Sequence, residues 1–594
     1  MFYEEYLTCD MDNGWEAAQK SFSLHIPDNF NFAYDVIDRY AAEAPEAEAL
    51  VWCDDKGEER IFTFGELAKE INKAANFFTA MGIARGDTVL LFLRRRYEFW
   101  FILPALHKIG AIAVPATVQL ASHDIEYRIQ SAGIKMIVAV QEKQLQQEIQ
   151  KAAEAAYKKP LLVWVHDEMD GWISFDKLSK NMSDEFSLPA GTKRPCGEDT
   201  ALLYFTSGTS GNPKMVAHNF LYPLGHIVTA KLWQRVKQGG RHLSVAETGW
   251  AKAMWGKIYG QWLCGCAVFV YDMDVFIPRK LLEKLAQYRV TSFCAPPTVY
   301  RYLIREPIEN YDLSALEECT TAGEALSQDI FDTFKEKTGI SLREGYGQTE
   351  LTLVTGTFPG MDIKPGSMGK PAPGYDIDIV RPDGSSCEAD ETGEIILRLD
   401  KGHPFGMFGG YYKNPEKTAE VFRGGVYHTG DAAWRDKDGY FWFSSRTDDL
   451  IKSSGFRISP FEVESVLLQH PAVFECAVTG VPDPKRGQAV KAFIVLNRGY
   501  TPSKQLEKEL MFFAKKNAAL YKAPRSLEFV QALPKTHNGK ISRAAIRAQK
   551  ESENMGMSQK FVTFSPSPTS FKLSFWTAAV IRFRVTALPN LCRP

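Results

Sequence analysis

The chain has 594 residues, 45% hydrophobic and 24% charged, and its 70 basic and 72 acidic side chains leave a formal net charge of −2. That length exceeds what one hydrophobic core holds, so two or more domains are expected. The near-neutral balance argues against a nucleic-acid partner, and the absence of an apolar run of about 18 residues argues against an integral membrane segment.

The first twenty residues, MFYEEYLTCDMDNGWEAAQK, are acidic and lack the basic and apolar regions of a signal peptide. The ten cysteines are scattered, and the close pair Cys264 and Cys266 lacks zinc-site spacing. Reduced, buried thiols in a cytoplasmic protein are the expectation. From residue 60 to 165, strand and helix patterns alternate. Thr88–Leu93 is a continuous apolar run suited to a strand buried on both faces. A helix is expected over Arg96–Ile109, followed by strands at AIAVPA, Met136–Val140 and Leu161–Val165. This alternation predicts an α/β fold, a large N-terminal domain with parallel or mixed sheets covered by helices.

The pattern runs to about Val380, and short strands such as Glu394–Leu399 follow. From about Asp449 the register changes. EVESVLLQH and LEKELMFFAKKNAAL read as helices, FECAVTGV and AVKAFIVL as strands, which makes a small α+β domain of ordinary size. The expected boundaries are therefore 1–448, 449–550 and a tail at 551–594. That tail carries no Asp or Glu from Asn554 onward, and no stable packing is expected for it.

The segment with the most chemistry is YFTSGTSGNPKMV, Tyr204–Val216, which follows the apolar run ALLYF. Thr206, Ser207, Gly208, Thr209, Ser210 and Gly211 are all hydroxylated or glycine, followed by Asn212, Pro213 and Lys214. Glycines let backbone amides approach phosphate oxygens, hydroxyls add donors, and the lysine adds positive charge. The spacing is not that of the Walker loop.

TSGTSGNPK resembles the phosphate-binding loop of the adenylate-forming superfamily, which includes acyl-CoA synthetases, luciferases and peptide-synthetase adenylation domains. Further segments match in the same order: TAGEAL at Thr321–Leu326, GYGQTE at Gly345–Glu350, YHTGD at Tyr427–Asp431, RTDDLIKSSGFRISPFEVE at Arg446–Glu464 and LPKTHNGKISR at Leu533–Arg543. ETGW at Glu247–Trp250 looks most like the medium-chain acyl-CoA synthetase branch.

The resemblance implies roles. Glu350 is a hard oxygen ligand for Mg²⁺, and Thr349 donates to the α-phosphate. Gly323, Glu324, Glu344, Gly345, Tyr346, Gly347 and Gln348 belong to the nucleotide site, with Tyr346 offering adenine a flat face. Asp431 accepts the ribose hydroxyls and Arg446 reaches ribose or phosphate. Asp448 is the hinge. Gly455, flanked by Ser454 and Phe456, lets the pantetheine arm of coenzyme A pass. Arg486, Ala523, Pro524 and Arg525 hold its nucleotide end. Lys540 is the catalytic lysine, a fixed cation for charge that develops as pyrophosphate leaves. Trp233, Trp250, Lys252, Trp255 and Cys294 line the acyl pocket, with Lys252 pointing to solvent or meeting a substrate carboxylate. Three tryptophans leave little room for a long chain.

The implied reaction joins a carboxylic acid, ATP and coenzyme A through an acyl-AMP, with the C-terminal domain rotating between the two steps. A module that loads a carrier protein, an inactive binding protein and a luciferase-like oxygenase are the alternatives. The acid and the oligomeric state, monomer or homodimer, stay open.

Overall fold

The computed structural model describes residues 2–10, 13–166, 169–206, 213–324, 326–453, 456–518, 520–535 and 541–554. Ser207–Asn212, Ser454, Gly455, Lys540, the Phe456 side chain and the tail from 555, for which the sequence sets expectations, lie outside the described residues. A helix, Arg543–Asn554, runs four residues past the boundary expected at 550.

Two large sheets form the bulk of the chain. The first has eight strands in the order Gly410–Tyr411, Lys214–Asn219, Thr200–Thr206, Ile112–Pro115, Thr88–Phe92, Ile134–Ala139, Leu161–Trp164 and Ile173–Ser174. Thr88–Phe92 is buried along its whole length, as its unbroken apolar run requires. The second sheet has nine strands. Six of them, from Leu342–Gly347 to Glu48–Asp54, run parallel. Helices cover the sheets. The best defined, Phe64–Ala80, starts in a capping box in which Thr63 and Glu66 satisfy each other's backbone amides.

The helix expected from Arg96 starts instead at Phe99. Arg94 has a φ of +49°, and the carbonyl of Arg95 accepts the Trp52 indole N–H at 2.8 Å, so the arginines form a turn before the helix. One core lies between the sheets, with Trp52, Trp100, Trp233 and Trp262 fully buried in it, and a second, including Phe269, Phe293, Tyr300 and Leu342, packs on the second sheet.

A four-stranded antiparallel sheet follows, ending at Arg446, and a five-stranded sheet begins at Ile451. The latter has its own core of Ile451, Val463, Leu467, Val478, Ile494 and Leu510. It abuts the preceding sheet where Ser459 Oγ donates to the Ser444 carbonyl.

Seven strands carry the site and are labelled in chain order: β1 (Thr200–Thr206), β2 (Lys214–Asn219), β3 (Glu318–Ala322), β4 (Leu342–Gly347), β5 (Gly410–Tyr411), β6 (Val426–Arg435) and β7 (Phe441–Arg446).

Candidate active site

β1 and β2 are antiparallel neighbours with Thr206 opposite Lys214. The glycine- and hydroxyl-rich segment is thus the connection of a hairpin, with Thr206 and Lys214 at its two ends. Lys214 Nζ stands 5.0 Å from the Tyr411 ring centroid. Burial and the charge of Lys417 lower the Lys214 pKa, against the attraction of Glu350.

The end of β4 meets the turn in β6. Asp431, 5% exposed, accepts at Oδ2 from the Tyr346 hydroxyl and from Gln348 Nε2, both at 2.6 Å. Its Oδ1 accepts from Arg446 Nη1 at 3.1 Å. Gln348 also donates to the Thr429 carbonyl at 2.9 Å and accepts from the Tyr427 hydroxyl at 2.9 Å. The guanidinium of Arg446 closes over Gly430, whose φ is +68°; a Cβ there would stand 2.8 Å from Arg446 Nη2. Burial lowers the Arg446 pKa, but Asp431 and Asp448 reverse the effect and raise it. A carboxylate offers about four acceptor sites, and three of those on Asp431 are used. One ribose hydroxyl can join without displacing a donor; the two expected from the sequence require Tyr346, Gln348 or Arg446 to yield.

Thr349 and Glu350 are held from three sides. His218 Nε2 lies 2.8 Å from the Thr349 carbonyl, the Phe408 amide donates to the Glu350 carbonyl at 2.9 Å, and the Tyr411 hydroxyl donates to Glu350 Oε1 at 2.9 Å. Burial pushes the Glu350 pKa up, opposed by the Tyr411 bond and by Lys214. Burial pulls His218 down to about 4, so its imidazole is neutral near pH 7 and donates through Nε2. Neither His218 nor Tyr411 belongs to a motif read from the sequence. The one local signal for His218 is its place four residues after Lys214 on a strand, which puts both on one face. A buried carboxylate held at Oε1 by Tyr411, with the lysine Lys214 close enough to act on it, is a hard oxygen donor of the kind a magnesium ion with few protein ligands takes.

Around the expected adenine segment, Gly323 and Glu324 are exposed, and Glu324 accepts from the Thr298 hydroxyl at 2.6 Å. Glu344 sits behind the site. Its two oxygens accept the Leu326 amide at 2.9 Å and the Gly366 amide at 2.5 Å, so it ties β4 to two loops. Burial raises its pKa to about 8.

Of the residues expected to line the acyl pocket, Trp233 and Trp255 lie against β4. Trp233 donates to the Glu344 carbonyl at 3.0 Å, and its ring meets that of Trp255 edge-on at 6.3 Å. A Cβ on Gly347 would come within 2.6 Å of the Trp255 ring and 2.1 Å of the Thr352 carbonyl, and one on Gly345 within 2.9 Å of Trp233. Trp250 is half-buried and Cys294 buried. Lys252 does not point to solvent. The short 3₁₀ turn Ala251–Trp255 turns it to the end of β3, where Nζ donates to the Ala322 carbonyl and lies beside Gly323.

In the C-terminal domain, Arg486 caps the turn between two long strands, its amide donating to Asp483 at 3.0 Å. Ala523 and Pro524 are buried and Arg525 is exposed, its amide donating to the Val490 carbonyl at 2.8 Å. Asp448 lies 3.7 Å from Arg446 Nε.

The strand ends at Thr206 and Lys214, the buried Asp431 carboxylate with its Tyr346, Gln348 and Arg446 partners, and the Glu350 carboxylate with Tyr411 are the observed parts of the site. Residues 37–412 match the model of the AMP-binding enzyme family, and residues 462–540 match the AMP-binding enzyme C-terminal domain. The chain belongs to the AMP-binding enzyme family. It is 40% identical over 549 residues to human "Acyl-coenzyme A synthetase ACSM3, mitochondrial", covering 90% of this chain and 92% of that protein. It is 41% identical over 541 residues to human "Acyl-coenzyme A synthetase ACSM4, mitochondrial", covering 88% and 91%. Among solved structures, the anthranilate CoA ligase AuaEII in complex with anthranoyl-AMP aligns with a TM-score of 0.79 at 29% identity, over 89% of this chain and 99% of that one. A benzoate CoA ligase from Burkholderia xenovorans LB400 aligns at 0.75 and 27% identity, over 87% and 100%.

Proposed function

We propose that this AMP-forming acid–CoA ligase activates a short, branched or medium-chain carboxylic acid. The carrying observation is the pair of indoles, Trp233 and Trp255, that fill the space beneath Gly345 and Gly347 beside the nucleotide site. The relatives named acyl-coenzyme A synthetases and the anthranilate and benzoate ligases support a compact acid.

The acid's carboxylate attacks the α-phosphorus of ATP, and pyrophosphate leaves. Two anions must meet, so positioning and charge neutralisation outweigh proton transfer. Asp431 takes a ribose hydroxyl while Tyr346 and Gln348 hold that carboxylate in place. Arg446 and Lys214 supply fixed positive charge, and Lys540 supplies more when its domain faces the site. Glu350 would hold Mg²⁺, which when bound neutralises charge on the phosphates, and Thr349 would donate to the α-phosphate. The coenzyme A thiol then attacks the acyl-AMP carbonyl, and AMP leaves. Rotation about Asp448 exchanges Lys540 for the Gly455 passage between the two steps, with Ser454 and Phe456 beside it and Arg486 and Ala523–Arg525 toward the nucleotide of coenzyme A.

Cytoplasmic residence is also proposed. The free cysteines among the described residues fit a reducing compartment. Subcellular fractionation tests it, and recovery in the mitochondrial fraction, the compartment in the relatives' names, would overturn it.

The test of function is AMP release with free coenzyme A across straight-chain, branched and aromatic acids. Turnover highest on butyrate, methylbutyrate, benzoate or hexanoate is expected. Palmitate turned over faster than these would overturn the pocket reading. Pyrophosphate exchange without acyl-CoA formation would point to a carrier-protein acceptor.

A further inference from the structure

Tyr411 stands between two groups that the reaction needs, Lys214 on β2 and Glu350 in the turn after β4. Its hydroxyl donates to Glu350 Oε1 at 2.9 Å, and its ring face carries the Lys214 ammonium 5.0 Å from the centroid. A tyrosine needing only to satisfy its hydroxyl could use a backbone carbonyl; this one uses the carboxylate. The tyrosine is itself fixed. β5 pairs with β2, with Tyr411 opposite Val216, and the Tyr411 amide donates to Thr418 Oγ1 at 2.9 Å. Its ring packs edge-on against Phe408 at 5.1 Å, the residue whose amide binds the Glu350 carbonyl.

A glutamate side chain has three rotatable bonds and aims its carboxylate poorly without support. A hydroxyl on one oxygen sets the plane of the carboxylate and directs the other oxygen to a ligand, as partners of metal-binding carboxylates do. The ring adds a second constraint, because a cation over an aromatic face is attracted to it. β2 therefore leads out of the phosphate loop directly onto the residue that aims the metal ligand.

We propose that Tyr411 is a positioning residue that fixes the Glu350 carboxylate and the Lys214 ammonium relative to each other, so that metal and phosphate bind to one preset frame. The inference rests on the reading of Glu350 as the Mg²⁺ ligand.

Tyr411→Phe removes the hydroxyl and keeps the ring; Tyr411→Leu removes both. The readout is Mn²⁺ binding to the enzyme–ATP complex without acid, followed by electron paramagnetic resonance, together with the Mg²⁺ dependence of pyrophosphate exchange. Tyr411→Phe is expected to weaken Mn²⁺ binding by about tenfold or more, the usual effect of losing such a partner, with exchange recovered at high Mg²⁺. Tyr411→Leu should in addition raise the KM for ATP. Glu350→Gln separates the two readings. If it leaves Mn²⁺ binding unchanged, the metal assignment fails and this inference with it. If it abolishes binding while Tyr411→Phe lowers only the melting temperature or kcat at every Mg²⁺ concentration, Glu350 stands and the positioning role is overturned.

Discussion

Single side chains in this protein work through the partners that hold them. Glu344 is the clearest case. The sequence puts it next to the nucleotide motif, yet both its oxygens are engaged by the Leu326 and Gly366 amides. Its folded pKa of about 8 lies above the ordinary 4.5. A raised carboxyl pKa means that the folded state binds the proton more tightly. The associated stability is complete below pH 4.5 and is lost as pH rises through about 8. Glu344→Gln, which cannot ionise, should flatten that decline. Melting temperatures of both proteins from pH 5 to 9 check it, and parallel curves would remove Glu344 as the cause. For Lys540 the expectation is chemical. Lys540→Ala should slow pyrophosphate exchange by about 10²–10³, the usual loss for one fixed charge at a transition state. Thioester formation from supplied acyl-AMP should persist. Equal losses in both half-reactions, measured by stopped assays, would contradict the assigned role.

At the scale of elements, β4 does most to organise the site. Its backbone ends in the Gly345–Gly347 segment, its side chains reach Asp431, and the tryptophans press on it from below. Gly347→Ala should therefore destabilise the fold by about 1–3 kcal/mol, the ordinary penalty of overpacking, because the new Cβ meets the Thr352 carbonyl and the Trp255 ring. Thermal unfolding reads this, and an unchanged melting temperature would mean that the strand shifts freely. Trp255→Ala opens the same contact from the other side. Each further buried methylene contributes about 0.8 kcal/mol, roughly fourfold in kcat/KM. Acids longer than the wild type prefers should gain by that step per carbon, and a series of straight-chain acids measures it. Much of this was legible beforehand. Buried strands show as apolar runs, and the loop shows as glycine and hydroxyl residues, because those signals are local. The Tyr411–Glu350 bond spans 61 residues and the Lys252–Ala322 contact spans 70. No periodicity encodes such meetings. They follow from which strands lie side by side, and that order emerges only on folding.

For the whole molecule, the proposed function divides the two steps between two arrangements of the C-terminal domain. Asp448→Pro fixes φ near roughly −65° and removes a backbone donor at the proposed pivot. The second half-reaction should slow more than the first, read by comparing pyrophosphate exchange with acyl-CoA formation. A fully active variant would move the pivot elsewhere.

The position of Arg446 adds a mechanical point. On one side it grips Asp431 and the Thr429 carbonyl, and on the other it reaches Asp448, two residues further along the chain. A nucleotide that draws the guanidinium toward its own oxygens must loosen one of those holds. On the proposed reading of Asp448 as the hinge, the device resembles a latch mounted on the hinge pin: whether the site is loaded or spent would be registered at the pivot itself, without a signal crossing the width of either domain.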